Sequence, residues 1–181
     1  MPDSLNKKQM AQLLDQLADT IADALAHEPP LADEHAGPAL IGIRSRGETI
    51  AQRLQDALQK RWKRPVDRGT LDITLYRDDL NQMGYQQPTV RSTEIPFSID
   101  DRPLVLVDDV LNTGRSVRAA LDALVDLGRP KAIRLAVLVD RGHRELPISA
   151  DFVGATFEAP RDKRVNVYVR EVDDREEVVV E

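Results

Sequence analysis

Residues 104–116, Leu-Val-Leu-Val-Asp-Asp-Val-Leu-Asn-Thr-Gly-Arg-Ser, restrict the chain more than any other stretch. A short apolar run bounded by acids reads as a buried strand. Asp108 and Asp109 stand at its C-terminal end, Asn112 to Ser116 supply a turn, and Val117, Leu121, Leu124 and Val125 continue at helical spacing. A strand, an acidic pair, a small polar loop and a helix place backbone N–H groups at a helix N-terminus, where they can hold a phosphate. The carboxylates beside that loop suit sugar hydroxyls, and ribose 5-phosphate offers both groups at that separation. Taken alone, an Asp pair ending a strand is usually a solvated turn, and Thr-Gly before a helix is usually a cap. In this order and spacing they point together to a sugar phosphate.

The rest of the chain reads as strands alternating with helices. Met10, Leu13, Leu14, Leu17, Ile21 and Leu25 mark an amphipathic helix over 5–26, ended by Pro29 and Pro30. Ala39–Ile43 is a short apolar strand, followed by Gly42-Ile43-Arg44-Ser45-Arg46-Gly47 and a helix through Ile50, Leu54 and Leu58. Thr70–Tyr76 alternates as a strand, with Leu71, Ile73 and Leu75 on one face. The polar stretch 77–92 carries Gly and Pro without a period, the character of a lid. A helix ending at Gly128 precedes an apolar strand at Ala132–Val139, and short strands are expected near 152–157, 165–172 and 177–180. Strands separated by helices argue a parallel α/β sheet, whose ligands bind beyond the strands' C-terminal ends. The segments 42–47, 77–92, 108–116 and 140–147 all follow strands, so they can meet on one edge.

Composition excludes more than it selects. With no cysteine there is no disulfide, thiolate ligand or thiol nucleophile, and His27, His35 and His143 lack ligand spacing. No apolar run approaches membrane-spanning length and the start, Met-Pro-Asp-Ser, lacks a basic, apolar signal, so a cytoplasmic protein without membrane partners is expected. A net charge of −6 gives nucleic-acid binding no support, although a local basic patch is compatible with it.

The 104–116 segment resembles the phosphoribosyl-pyrophosphate (PRPP) motif of the type I phosphoribosyltransferases. Three stretches narrow the resemblance: Leu71–Asp79, Val107–Leu111 with Thr113–Arg115, and Val139–Ile148 are similar to PyrR, the family of pyrimidine-operon regulators that are also uracil phosphoribosyltransferases. The similarity covers roughly residues 40–175. It implies a single domain over 1–181: an N-terminal helix and loop (1–37), a core parallel sheet flanked by helices (38–140) with the lid loop 77–92, and a small hood of short strands (141–181). It implies transfer of the phosphoribosyl group of PRPP to uracil, giving UMP and pyrophosphate with Mg²⁺, in a homodimer or homotetramer.

The resemblance also assigns residues. Asp108, Asp109 and Arg46 are the implied catalytic groups, and Asp108 and Asp109 the implied Mg²⁺ contacts. Leu111, Asn112, Thr113, Gly114, Arg115 and Ser116 would cradle the 5′-phosphate. Arg44, Ser45 and Gly47 join Arg46 in a pyrophosphate loop, which in the family often holds a non-proline cis peptide. Arg77 would bind substrate from the lid, with Asp140 and Arg141 near the uracil. Tyr76 reads as a packing residue, Arg144 as a surface partner of Glu145, and His143 as structural. The chain departs from the family pattern at Asn112, where an aromatic is common, and at Ser45 and Ser116, where Thr is usual.

Attenuator proteins of this family bind messenger RNA, which is the alternative reading. The first helix, however, carries Asp15, Asp19 and Asp23 on one face, and Ser149 stands where a basic residue is common. Arg161, Lys163 and Arg164 restore some positive charge. Weak or absent binding to leader RNA is the expectation, because affinity needs cations facing phosphates.

Overall fold

The computed structural model describes residues 4–26, 37–79 and 90–181. Strand β1 (Ser4–Asn6) runs into helix α1 (Lys7–Leu25), whose start is a reciprocal cap: the Asn6 side chain accepts from the Gln9 N–H and the Gln9 side chain accepts from the Asn6 N–H. Strand β2 (Ala39–Ile43), helix α2 (Arg46–Trp62) and strand β3 (Arg68–Leu71) follow. Then come β4 (Pro103–Leu111), α3 (Arg115–Leu127), β5 (Ala132–Asp140), β6 (Phe152–Thr156), β7 (Val165–Tyr168), the short helix α4 (Arg170–Asp173) and β8 (Glu177–Val180).

The central sheet has the order β3-β2-β4-β5-β6 with every pair parallel. Both of its faces are covered, which explains why its strands read as nearly continuous apolar runs. Val105 and Val107 of β4 point into a core shared with α1, α2 and the C-terminal strands, while Leu104 and Leu106 point into a second core under α3. The apolar period expected for the first helix holds: Met10, Leu14, Leu17, Ile21 and Leu25 are its buried stripe.

Two expectations about strands are corrected. Thr70–Tyr76 is not one strand. β3 ends at Leu71, and the Asp72 carboxylate takes the Thr74 N–H at 2.9 Å and the Thr74 hydroxyl, folding Thr74–Tyr76 into a 3₁₀ turn that leaves Leu75 66% exposed. A local side-chain acceptor overrode an alternating pattern. The C-terminal strands also divide differently. β6 joins the central sheet beside β5, and the hood is an antiparallel sheet of order β1-β8-β7, closed by residues from the other end of the chain. The stretch expected as a strand to 172 stops at Tyr168 and turns into α4. Alternation marks a strand but carries no information about its partner.

Candidate active site

β2 and β4 lie side by side, yet the chain leaves them in opposite directions, through α2 to β3 on one side and through α3 to β5 on the other. That is a switch point, where open α/β sheets bind their ligands. The turn after β2 (Arg44, Ser45, Arg46) and the acid pair near the end of β4 therefore meet. With Asp72, Thr74, Arg77 and Ser116 they line a cavity of about 260 Å³. A smaller hollow of about 190 Å³, lined by Thr113, Arg115, Ser116 and Arg77 to Asp79, adjoins it. The Arg44–Ser45 peptide bond is cis, as the resemblance implied. At Gly47 the start of α2 lies against β4: a Cβ there would stand 2.6 Å from the Val107 carbonyl oxygen and 3.1 Å from the Asp108 Cα. Only a glycine lets the first turn of α2 press against β4 beside the acids.

Asp108 is buried and Asp109 half-buried. Asp108 is 8% exposed. Burial, and then the neighbouring Asp109 carboxylate, push its pKa well above the usual carboxylate range. Burial also raises Asp109, but hydrogen bonds and the positive charge of Arg46 oppose the rise. Each carboxylate accepts one backbone N–H: Asp108 from Asp109 at 2.9 Å, and Asp109 from Val110 at 2.8 Å. Their remaining lone pairs are available to sugar hydroxyls or to a cation's water shell.

The turn after β4 is braced from behind. Gly114 adopts φ +91° at the start of α3, and a Cβ there would meet Ile148 at 3.3 Å. The Thr113 carbonyl accepts the N–H groups of Glu145 and Leu146 at 3.0 and 3.1 Å. Arg144 does not pair with Glu145. Its guanidinium donates to the carbonyls of Asn112 (2.8 Å), Gly142 (3.1 Å) and Ile148 (2.9 Å) and pairs with Asp140. Glu145 instead holds Arg115, which also reaches Asp78. Leu111 belongs to the core, so what it offers the turn is its backbone; the Asn112 side-chain oxygen is buried without a partner.

The expected site residues therefore fall into distinct groups. Ser45, Arg46, Arg77, Asp108, Asp109 and Ser116 converge on the main cavity, and Thr113 and Arg115 on the hollow beside it. Arg44 borders the cavity, but its side chain is occupied by the Ser92 carbonyl and by Glu48 and Glu94. Asp140 and Arg141, expected near the base, do not line the cavity. Asp140 accepts the Gly142 N–H at 2.8 Å and pairs with Arg144, while Arg141, 7% exposed, donates to the Pro160 carbonyl at 3.2 Å and leaves its Nε unpartnered. His143 does not line the cavity, and its Nε2 lies 2.6 Å from the Ala159 carbonyl oxygen. Tyr76 packs on the α3 core and also donates its hydroxyl to Asp126 at 2.8 Å. The expected lid falls largely on residues 80–89, outside the described residues.

Sequence reasoning missed three residues. Asp72 holds the Arg91 N–H as well as Thr74, joining both flanks of the 80–89 segment at the cavity wall. Arg144 organises the turn, and Asp173 grips Arg46 through two hydrogen bonds. The motif Asp-Arg-Gly-His-Arg hinted at Arg144, whereas nothing local marks Asp173.

The donor set suits a hard divalent cation held chiefly by others. Among the described residues no group of three or more His, Cys, Asp or Glu side chains could enclose a metal. Two adjacent carboxylates, one buried and one half-buried, offer oxygen donors only and so match Mg²⁺, which keeps waters and takes substrate phosphate oxygens. No helix among the described residues is long and apolar enough to cross a membrane.

A family model for the phosphoribosyl transferase domain matches residues 3–170. The chain is 51% identical over 177 residues to the "Bifunctional protein PyrR" of Pelotomaculum thermopropionicum, with 96% of each chain covered. It is 45% identical over 176 residues to the protein of that name from Clostridioides difficile, covering 95% of this chain and 98% of the relative. Among solved structures, a hypoxanthine phosphoribosyltransferase of Trypanosoma cruzi superposes with a TM-score of 0.72 at 21% identity, covering 97% of this chain and 92% of its own, a likeness of fold. Matched along almost its whole length to relatives of that name, on a phosphoribosyltransferase fold, the chain belongs to the PyrR family of phosphoribosyltransferases.

Proposed function

We propose that the protein transfers the phosphoribosyl group of PRPP to uracil, releasing pyrophosphate and forming UMP. The observation that carries this reading is the meeting of the Arg44–Arg46 turn, the Asp108–Asp109 pair and Ser116 in one cavity. The base is argued from the Val139–Ile148 stretch, which resembles the uracil-using family, and from the PyrR relatives.

A ring nitrogen of uracil forms the bond to ribose C1 as the bond from C1 to the pyrophosphate oxygen breaks, and the proton of that nitrogen leaves to water or to the departing pyrophosphate. Thr113, Ser116 and the N–H groups at the start of α3 hold the 5′-phosphate, because a helix N-terminus leaves its first donors without intrahelical acceptors. Asp108 and Asp109 orient the ribose hydroxyls and offset positive charge developing on the sugar. Arg46 faces the departing pyrophosphate. Asp108 and Asp109 would hold Mg²⁺ through its water shell, and the ion would supply counter-charge for the pyrophosphate.

Turnover with PRPP and Mg²⁺, measured base by base, tests this. UMP from uracil, without products from hypoxanthine, guanine or orotate, is the expected result. A purine nucleotide as main product would overturn the choice of base.

The relatives' designation as bifunctional favours a second activity, and RNA-dependent attenuation is the second reading. Arg61 is already neutralised by Asp15 and Asp19, both at 2.6 Å, so this face of α1 offers phosphates no net positive charge. Arg161, Lys163 and Arg164 are exposed and carry the remaining case for RNA.

A further inference from the structure

Helix α2 bears the pyrophosphate turn at its N-terminus and is gripped by acids far along the chain. Arg46, its first residue, donates Nε to Asp173 Oδ2 at 3.0 Å and Nη2 to Asp173 Oδ1 at 2.7 Å. Two turns on, Arg53 donates to Glu171 and to Glu176, the latter at 2.7 Å. The acidic run after Tyr168, which by itself reads as a solvated charged surface, is therefore a clamp on α2.

Asp173 is the acid of the three that grips Arg46. Its side chain is 13% exposed, and Oδ2 also accepts the Val169 N–H at 3.0 Å, so the backbone of the hood fixes the carboxylate. The forked pair then fixes the plane of the guanidinium, which a single contact would leave free to swing. Arg46 additionally lies over the Tyr168 ring, 5.5 Å from its centroid. Nη1 takes no part in the pair with Asp173, and Arg46 lines the cavity beside Asp109.

We propose that Asp173 is a positioning residue of the transferase site, holding the Arg46 guanidinium so that its remaining edge is presented to pyrophosphate. The inference rests on the transferase reading but not on the choice of base. The hood thereby acts on the leaving-group side of the site through a contact 127 residues distant in sequence.

Binding of magnesium pyrophosphate and of ribose 5-phosphate, measured by calorimetry, tests it without any base present. Asp173→Asn keeps an acceptor for the Val169 N–H and removes the charge from Arg46. It is expected to weaken pyrophosphate binding about tenfold or more while ribose 5-phosphate binding holds, since small misplacements at such contacts cost up to about a hundredfold. In an Arg46→Ala background the same substitution should cost nothing further, because a residue acting through Arg46 has then lost its means. Glu171→Gln, which loosens the neighbouring pair only, should match the wild type. Asp173→Glu, which retains the charge, should recover part of the loss and decides the matter if Asp173→Asn does not fold. Unchanged or tighter pyrophosphate binding in the Asp173 variants, or an undiminished effect without Arg46, would overturn the inference. Wild-type protein that binds neither ligand would overturn the transferase reading and this inference with it, whereas binding without UMP formation would count against uracil alone.

Discussion

The Arg144 guanidinium donates to the Asn112 carbonyl at 2.8 Å, so a loop after β5 holds the turn after β4 from behind. The same side chain reaches Gly142, Ile148 and Asp140, reinforcing the backbone hydrogen bonds from Glu145 and Leu146 to the Thr113 carbonyl that already join the two loops. Arg144→Ala should lower stability by about 2–4 kcal/mol, since it strips several carbonyls of a charged donor and leaves Asp140 without its partner. PRPP affinity should fall as well. Urea unfolding and PRPP titration check this, and a change confined to turnover would place Arg144 in the chemistry instead.

Asp108→Asn and Asp109→Asn should each depress turnover by roughly 30- to 1000-fold, the cost of losing about 2–4 kcal/mol of transition-state charge stabilisation. Asp108→Asn should at the same time stabilise the fold at neutral pH. The folded pKa of Asp108 lies above its unfolded value, so the folded state binds the proton more tightly. The penalty is present above the folded pKa and is relieved as pH falls from there towards the unfolded value. The stability gap between variant and wild type should therefore narrow on acidification, read as unfolding midpoints across a pH series. A gap that widens on acidification would reverse the sign assigned to this group.

Gly47→Ala should damage both fold and activity. The new methyl would lie 2.6 Å from the Val107 carbonyl oxygen, a backbone atom that cannot move aside cheaply. Overpacking of this kind costs about 1–3 kcal/mol, and the displaced first turn of α2 carries Arg46 with it. Thermal unfolding with steady-state kinetics checks the prediction; loss of stability with unchanged kinetics would separate Gly47 from the site.

Asp72 behaves oppositely to Asp108. Hydrogen bonds from Thr74 and Arg91, with the nearby Arg44 charge, hold its pKa below the ordinary value in spite of the opposing effect of burial. Its contribution to stability is therefore complete above the unfolded pKa, near about 4, and is lost as pH falls through the lower folded value. Asp72→Ala should cost about 1–2 kcal/mol at neutral pH and less in strong acid, measured by denaturant titration at both. An equal cost at both pH values would show that packing, not charge, was lost.

Binding to a pyrimidine-leader RNA, with UMP present and at near-physiological salt, should be no tighter than binding to unrelated RNA. The neutralised α1 face and Ser149 motivate this, because each missing phosphate contact removes part of the counterion-release gain. Submicromolar affinity with a steep salt slope would show that Arg161, Lys163 and Arg164 suffice.

What the sequence alone determined was local. Apolar runs flanked by helical periods specified the parallel strands and the helices that cover them, since burial on both faces leaves a continuous hydrophobic record. The acids, the small polar turn and the Arg-Ser-Arg-Gly turn were legible for the same reason: each depends on residues a few positions apart. Tertiary structure decided which distant groups meet. Asp72 ended a strand that its alternation would have continued, by taking the Thr74 N–H. Ser4–Asn6 completed the hood by pairing with β8, and β6 left the hood for the central sheet. Asp173 found Arg46 across 127 residues. Such pairings are chosen by how the covered faces stack and where buried charges find partners, and neither choice leaves a periodic mark along the chain.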